Sequence, residues 1–223
     1  MEETLVSPAV ENYLKAIYLL QARTGKPAPM SRVAERLAVA PASVTEMVQR
    51  LARDGLVKHV RYRGVSLTGR GRRAALRVVR RHRLLETFLV SELGLGWDQV
   101  HDEAETLEHS ISDRLLAAIA AKLGDPSRDP HGDPIPSAEL EIDEAEAVSL
   151  DRLPVGTKGR LVRILDADPA LLGYLDGLGI SLGDEIEVLD LEPFGGPFTV
   201  SIDGRKRSLG RLAAAALSVE SQP

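Results

Sequence analysis

Apolar residues recur at helical spacing three times within the first 55 positions. Val10, Tyr13, Leu14, Ile17 and Leu20 mark one face of a helix over about 8–23, and Gly25, Pro27 and Pro29 then break it. Ser31 suits the N-cap of a short second helix with Val33, Ala34 and Leu37 inward. Pro41 fits the first turn of a third helix. Its Val44, Met47, Val48 and Leu51 follow the i, i+3, i+4, i+7 stripe, and Gly55 stands where such a helix closes. Alternation and turn signals then predict two short strands, 56–60 and 65–67, around a basic turn, Arg61-Tyr62-Arg63-Gly64.

Thr68 can cap a long helix reaching about Glu92, stopped by Gly94 and Gly96. Two more helices are expected over 98–110 and 112–123. Four prolines exclude helix and central strand from 124–136. The acidic stretch 137–150 reads as a linker with at most weak helix. Beyond Val155 the pattern changes to short strands at 161–165, 185–191 and 199–202, with Asp203-Gly204 as a hairpin turn. The expected architecture is mainly α with a small β component. Residues 1–75 form a winged helix-turn-helix, 76–140 a helical domain and 141–150 a linker, and 151–223 hold a small domain of short strands and turns.

Charge sharpens this division. The net charge of −5 hides 17 Lys+Arg against 6 Asp+Glu in residues 1–83, then 3 against 16 in 84–150. A basic head suits a polyanion, and an acidic middle suits cations. Cysteine is absent, so any metal must be held by nitrogen and oxygen. No apolar run approaches the ~18 residues of a membrane span and the N-terminus lacks a leader pattern, so a cytoplasmic location is expected.

Two short helices, a tight turn and a basic two-stranded wing form the helix-turn-helix order in which the second helix of the pair enters the major groove. Opposite its buried stripe lie Ala42, Ser43, Thr45, Glu46, Gln49 and Arg50. Ser43 and Thr45 suit phosphates, Ala42 a thymine methyl, and Gln49 and Arg50 base edges or phosphates. Arg32, Arg61 and Arg63 suit backbone contacts. The expected partner is double-stranded operator DNA, bound by a homodimer whose interface is expected in 98–123, where Leu107, Ile111, Leu115 and Ile119 recur, a stripe that the core of a monomer would equally explain.

In the acidic middle, His101, Glu105, Glu108 and His109 fall at i, i+4, i+7 and i+8, one face of a helix. His82 and Glu86 are an i, i+4 pair on the preceding helix. Imidazoles and carboxylates without sulfur suit a divalent transition ion. Glu105-x-x-Glu108-His109 misses the H-x-x-E-H pattern of zinc hydrolases by one residue, and no P-loop, G-x-G-x-x-G or Ser–His–Asp arrangement stands out. The expectation is therefore a regulator and not an enzyme. A winged helix that senses an organic ligand is the alternative, with a metallohydrolase behind it.

The motifs Val33-Ala-Glu-Arg-Leu37, Ser43-Val-Thr45, Arg53-Asp-Gly-Leu-Val57, His82-Arg-Leu-Leu-Glu86, His101-Asp-Glu103, Glu108-His109 and Pro130-His-Gly-x-Pro-Ile-Pro136 resemble the diphtheria toxin repressor family of iron- and manganese-dependent regulators. The resemblance covers nearly the whole chain. It is nearest the manganese-responsive branch, because Glu105 stands where iron-responsive members carry Cys. It implies a primary site of Asn12, Glu105, Glu108 and His109, and an ancillary site of His82, Glu86 and His101, with Asp166 or Asp168 lent by the SH3-like (FeoA-like) β-barrel domain. The implied ion is Mn²⁺ or Fe²⁺, and the implied action is repression of metal-uptake genes. Two positions depart from the family. Asn12 stands where relatives carry Met or Asp, and Lys15 where the manganese branch has a carboxylate, which argues against a closely coupled two-metal cluster.

Overall fold

The computed structural model describes residues 7–60, 63–96, 99–143, 147–165 and 169–221. The chain divides into two compact units. The first comprises 1–82, 108–111 and 136–141, and the second 83–107, 112–135 and 142–223.

The first unit is the three-helix head with its wing. Helix α1 (Pro8–Thr24) packs on α2 (Met30–Leu37), and α2 on α3 (Pro41–Arg53). The stripe read from the sequence is the core: Leu14, Ile17, Val33, Val44, Val48 and Leu51 are buried, and Met47 is half-buried. Pro41 occupies the first turn of α3, and Gly55 follows its C-cap with φ 70°. Ser31 is not the cap of α2. Pro29 holds that position in extended conformation, so Ser31 lies inside the first turn. The reason is tertiary: Ala28 bridges to Val65 through two backbone hydrogen bonds of 2.8 and 2.9 Å, which fixes the extended entry and starts the helix earlier.

Strands β1 (Val57–Val60) and β2 (Gly64–Leu67) pair antiparallel as the wing. Helix α1 grips it through Gln21, whose Oε1 accepts from Leu67 N at 3.0 Å. Helix α4 (Gly69–Leu93) starts on Thr68 as expected, its Oγ1 accepting from Gly71 N at 3.1 Å. The division between units falls within α4, between His82 and Arg83.

In the second unit, α5 (Val100–Leu107) is shorter than expected and ends in a turn over 108–110. Helix α6 (Asp113–Lys122) is capped by Ser112, whose side chain accepts from Leu115 N. The proline-rich segment is irregular as expected, and it is tied to the sheet: Ile164 N donates to His131 O at 2.8 Å. Six antiparallel strands follow in the order β3 (Val148–Ser149), β8 (Leu217–Ser221), β4 (Lys158–Ile164), β5 (Glu185–Leu191), β6 (Phe198–Ile202), β7 (Arg205–Leu209). They surround a core that includes Leu150, Leu161, Ile164, Phe198 and Leu217, with α7 (Pro169–Gly177) and α8 (Arg211–Ala216) inserted. The sheet is SH3-like, and among the described residues it stays open between β3 and β7. Asp203-Gly204 turns β6 into β7 with φ 46° and 77°.

Candidate metal centre

Helix α1 presents Glu11, Asn12 and Lys15 within one turn. In the first unit these meet His82 of α4 and the turn that carries Glu108 and His109. His109 Nε2 lies 2.7 Å from Asn12 Oδ1, and its Nδ1 lies 2.6 Å from Glu11 Oε2. Nε2 is also 3.5 Å from Glu108 Oε1. Glu108 is wholly buried, with its carboxylate 2.8 and 3.0 Å from Lys15 Nζ and 2.7 Å from His82 Nδ1. Arg81 Nη1 closes the ring of charges on Glu11 at 3.2 Å.

These donors fit a divalent ion. Asn12 Oδ1 and Glu108 Oε1 lie 2.7 and 3.5 Å from His109 Nε2. Those separations bracket the roughly 3 Å edge of an octahedron with bonds of about 2.1 Å. The second nitrogen of His109 is held by a carboxylate, the usual partner of a ligating imidazole.

A second cluster lies in the second unit. His101 stands between two carboxylates, with Nδ1 3.3 Å from Glu86 Oε1 and Nε2 3.7 Å from Glu105 Oε1. Behind it, Glu86, Asp129 and His131 are all buried, with one ligand-type atom each within 4.8 Å of one another. Here a guanidinium already supplies positive charge: Arg83 Nε is 3.5 Å from Asp129 Oδ2, and Arg83 Nη2 is 3.4 Å from Asp133 Oδ1. Burial, aided by the Asp133 and Glu86 carboxylates, pushes the Asp129 pKa well above its usual value, against Arg83 and a backbone N–H.

The four residues at 101, 105, 108 and 109 therefore do not form one helical face. The helix ends at Leu107, and the buried carboxylate of Glu108 is drawn to Lys15 and His82. His82 Nδ1 touches Glu108, and Glu105 touches His101. Asp166 and Asp168 lie outside the described residues. Sequence reading missed Glu11, and it missed the contacts of Lys15, Asp129 and His131. The only signal for the last two was the Asp-Pro-His-Gly-Asp-Pro-Ile-Pro run.

On the head, Ala42, Ser43, Thr45, Glu46, Gln49 and Arg50 of α3 are all exposed, as are Arg32 and Arg63. Arg61 lies outside the described residues. Thr45 Oγ1 donates to Pro41 O at 3.1 Å. Arg32 pairs with Glu35 at 2.8 Å and Arg50 with Asp54 at 3.9 Å, exposed pairs worth at most about 1 kcal/mol and so easily exchanged for phosphate.

Residues 6–65 match the N-terminal DNA binding domain of iron dependent repressors. Residues 68–137 match the metal binding and dimerisation domain of the same proteins, and 148–221 match the FeoA domain. The chain is 36% identical over 190 residues to the diphtheria toxin repressor of Corynebacterium glutamicum, covering 81% of this chain and 83% of that protein. The chain belongs to the diphtheria toxin repressor family. Members of this family are metal-dependent transcriptional repressors, not enzymes, and that is the function of this chain. The iron-dependent repressor IdeR of Mycobacterium tuberculosis is 34% identical over 223 residues, covering 94% of this chain and 96% of its own length. A solved manganese-dependent transcriptional repressor in complex with manganese is 48% identical, with a TM-score of 0.91 over 96% of this chain and all of the other. Among the described residues, no helix is long and apolar enough to cross a membrane.

Proposed function

We propose that this repressor is switched by Mn²⁺, with Fe²⁺ as the second-ranked ion, and that its primary site is built on α1 from Asn12, Glu108 and His109, with Glu105 completing it. The ancillary site comprises Glu86 and His101, with His82 one turn before Glu86 on α4, and Asp168. The observation that carries the reading is the approach of Asn12 Oδ1 to His109 Nε2, 2.7 Å apart from elements 97 residues distant, beside a wholly buried carboxylate. Sulfur-free oxygen and nitrogen donors favour the harder ions. The likeness to a manganese-bound repressor points the same way.

A bound divalent ion supplies the positive charge that holds these donors together. Asn12 draws α1 to the 108–110 turn, and Gln21 at the other end of α1 holds the wing. Fixing α1 thus fixes the posture of α2 and α3. A homodimer then presents two recognition helices to half-sites of operator DNA about 34–36 Å apart or a multiple of that. Exposed Leu107 and Leu115 suit the dimer interface. Ser43, Thr45, Gln49 and Arg50 meet bases and phosphates, Ala42 meets a thymine methyl, and Arg32, Arg61 and Arg63 meet the backbone. The genes repressed are those of metal uptake, and the site of action is the cytoplasm. Moving the head from 1:99 to 99:1 requires about 5.5 kcal/mol of differential affinity.

Glu108→Ala and His109→Ala are expected to abolish the Mn²⁺-stimulated gel shift of an operator fragment that chelator reverses in the wild type. Full stimulation in either variant refutes the assignment. Anaerobic titration with Mn²⁺ and Fe²⁺ decides the ion, and activation by Fe²⁺ alone at low concentration refutes the preference for manganese.

A further inference from the structure

The centre on α1 carries a cation of its own. Lys15 is buried at 6% exposure, yet its ammonium lies 2.8 and 3.0 Å from the two oxygens of Glu108 and 3.1 Å from His82 Nδ1. A carboxylate taken wholly out of water needs a compensating charge or donors. Lys15 supplies both from within the chain, one turn after Glu11 and Asn12.

We infer that the Lys15 ammonium competes with the divalent ion for Glu108, so that Lys15 sets the free metal concentration at which the centre loads. The inference rests on the proposed role of Glu108 and His109 as ligands. A charged lysine has donors and no lone pair, so it cannot itself be a ligand. Two cations on one carboxylate repel strongly at about 4 Å in a partly desolvated site. Metal on Glu108 therefore weakens or displaces the Lys15 bond. The Lys15–Glu108 contact joins α1 to the 108–110 turn and compensates the buried carboxylate. With metal, that contact is given up, and its loss is subtracted from the affinity. The head gains a loading threshold in place of the tightest possible binding.

The test uses the full chain with Lys15→Met and Lys15→Gln, which keep most of the side chain and remove the charge. All proteins carry His101→Ala, so that the second cluster contributes no binding. In chelator, both variants are expected to unfold roughly 6–12 °C below their parent, because a buried carboxylate has lost its cation. In calorimetric titration they are expected to bind Mn²⁺ about tenfold more tightly than the parent, with a larger Mn²⁺-induced rise in melting temperature. Unchanged or weaker Mn²⁺ binding in both overturns the competition. A measurement on the parent needs no Lys15 variant. The Lys15 Nζ resonance in a ¹⁵N-lysine spectrum should shift or vanish on saturation with diamagnetic Zn²⁺, and a resonance that stays in place overturns the proposal. His109→Ala separates the two claims. If Mn²⁺ binds that variant as it binds the parent, the ligand assignment falls. If His109→Ala abolishes binding but the Lys15 variants bind no tighter, only the competition falls.

Discussion

Glu11 Oε2 lies 2.6 Å from His109 Nδ1, and its other oxygen is held by Arg81 at 3.2 Å. A carboxylate there favours the proton on Nδ1 and leaves the Nε2 lone pair toward Asn12 and Glu108. Glu11→Gln is expected to weaken Mn²⁺ binding by about 10–100-fold in a calorimetric titration, although Glu11 is not among the proposed ligands. Unaltered affinity would remove it from the centre. Asp129 gives a prediction in pH. Its pKa lies well above 3.8 in the folded chain, chiefly through burial. The folded state therefore binds this proton more tightly than the unfolded one. The resulting stability is fully present below about 3.8 and is lost as pH rises through the raised folded value. Asp129→Asn should flatten that decline, so urea midpoints across acid to neutral pH should shift in favour of the variant as pH rises. A constant difference between the two proteins would contradict the raised pKa.

At the scale of elements, the start of α4 is closely joined to the turn that precedes the wing. The Thr68 hydroxyl donates to Gly55 O at 2.8 Å, with Leu56 O at 3.1 Å, and accepts from Gly71 N. Gly71 is buried, and a Cβ there would stand 1.9 Å from Leu56 O. Backbone cannot give way as a side chain can, so Gly71→Ala should destabilise the chain by about 1–3 kcal/mol and Thr68→Ala by about 1 kcal/mol, both read from denaturant midpoints. Elements with strong periodicity, α1 and α3 above all, were legible in the sequence. Strand β7 was not, because Arg205-Lys206-Arg207-Ser208-Leu209 is an edge strand with mostly exposed, charged side chains. Helix α8 was hidden for another reason: an alanine run carries no hydrophobic period. The end of α5 at Leu107 was missed because the contacts of Glu108, not local propensity, decide it.

For the whole molecule, the basic head makes DNA affinity a function of salt. Each phosphate contact adds about 0.9 to the slope of log K against log salt. Arg63→Ala should lower that slope by about one and weaken all sequences alike, measured by fluorescence anisotropy from 50 to 200 mM salt. A loss confined to one operator sequence would instead make Arg63 a reader of bases.

Residue order alone decided the winged head, the separation of basic and acidic segments, the shift to strands after residue 155 and the chemical type of the candidate metal donors. Each of these rests on local periodicity, turn chemistry or side-chain identity, which neighbouring positions carry among themselves. Tertiary structure alone decided which donors share a centre. Lys15 and Glu108 are 93 residues apart, and Glu11 and His109 are 98 apart. Whether such pairs meet depends on how α1, α4 and the turn after α5 pack, and a buried carboxylate takes whichever cation that packing delivers to it.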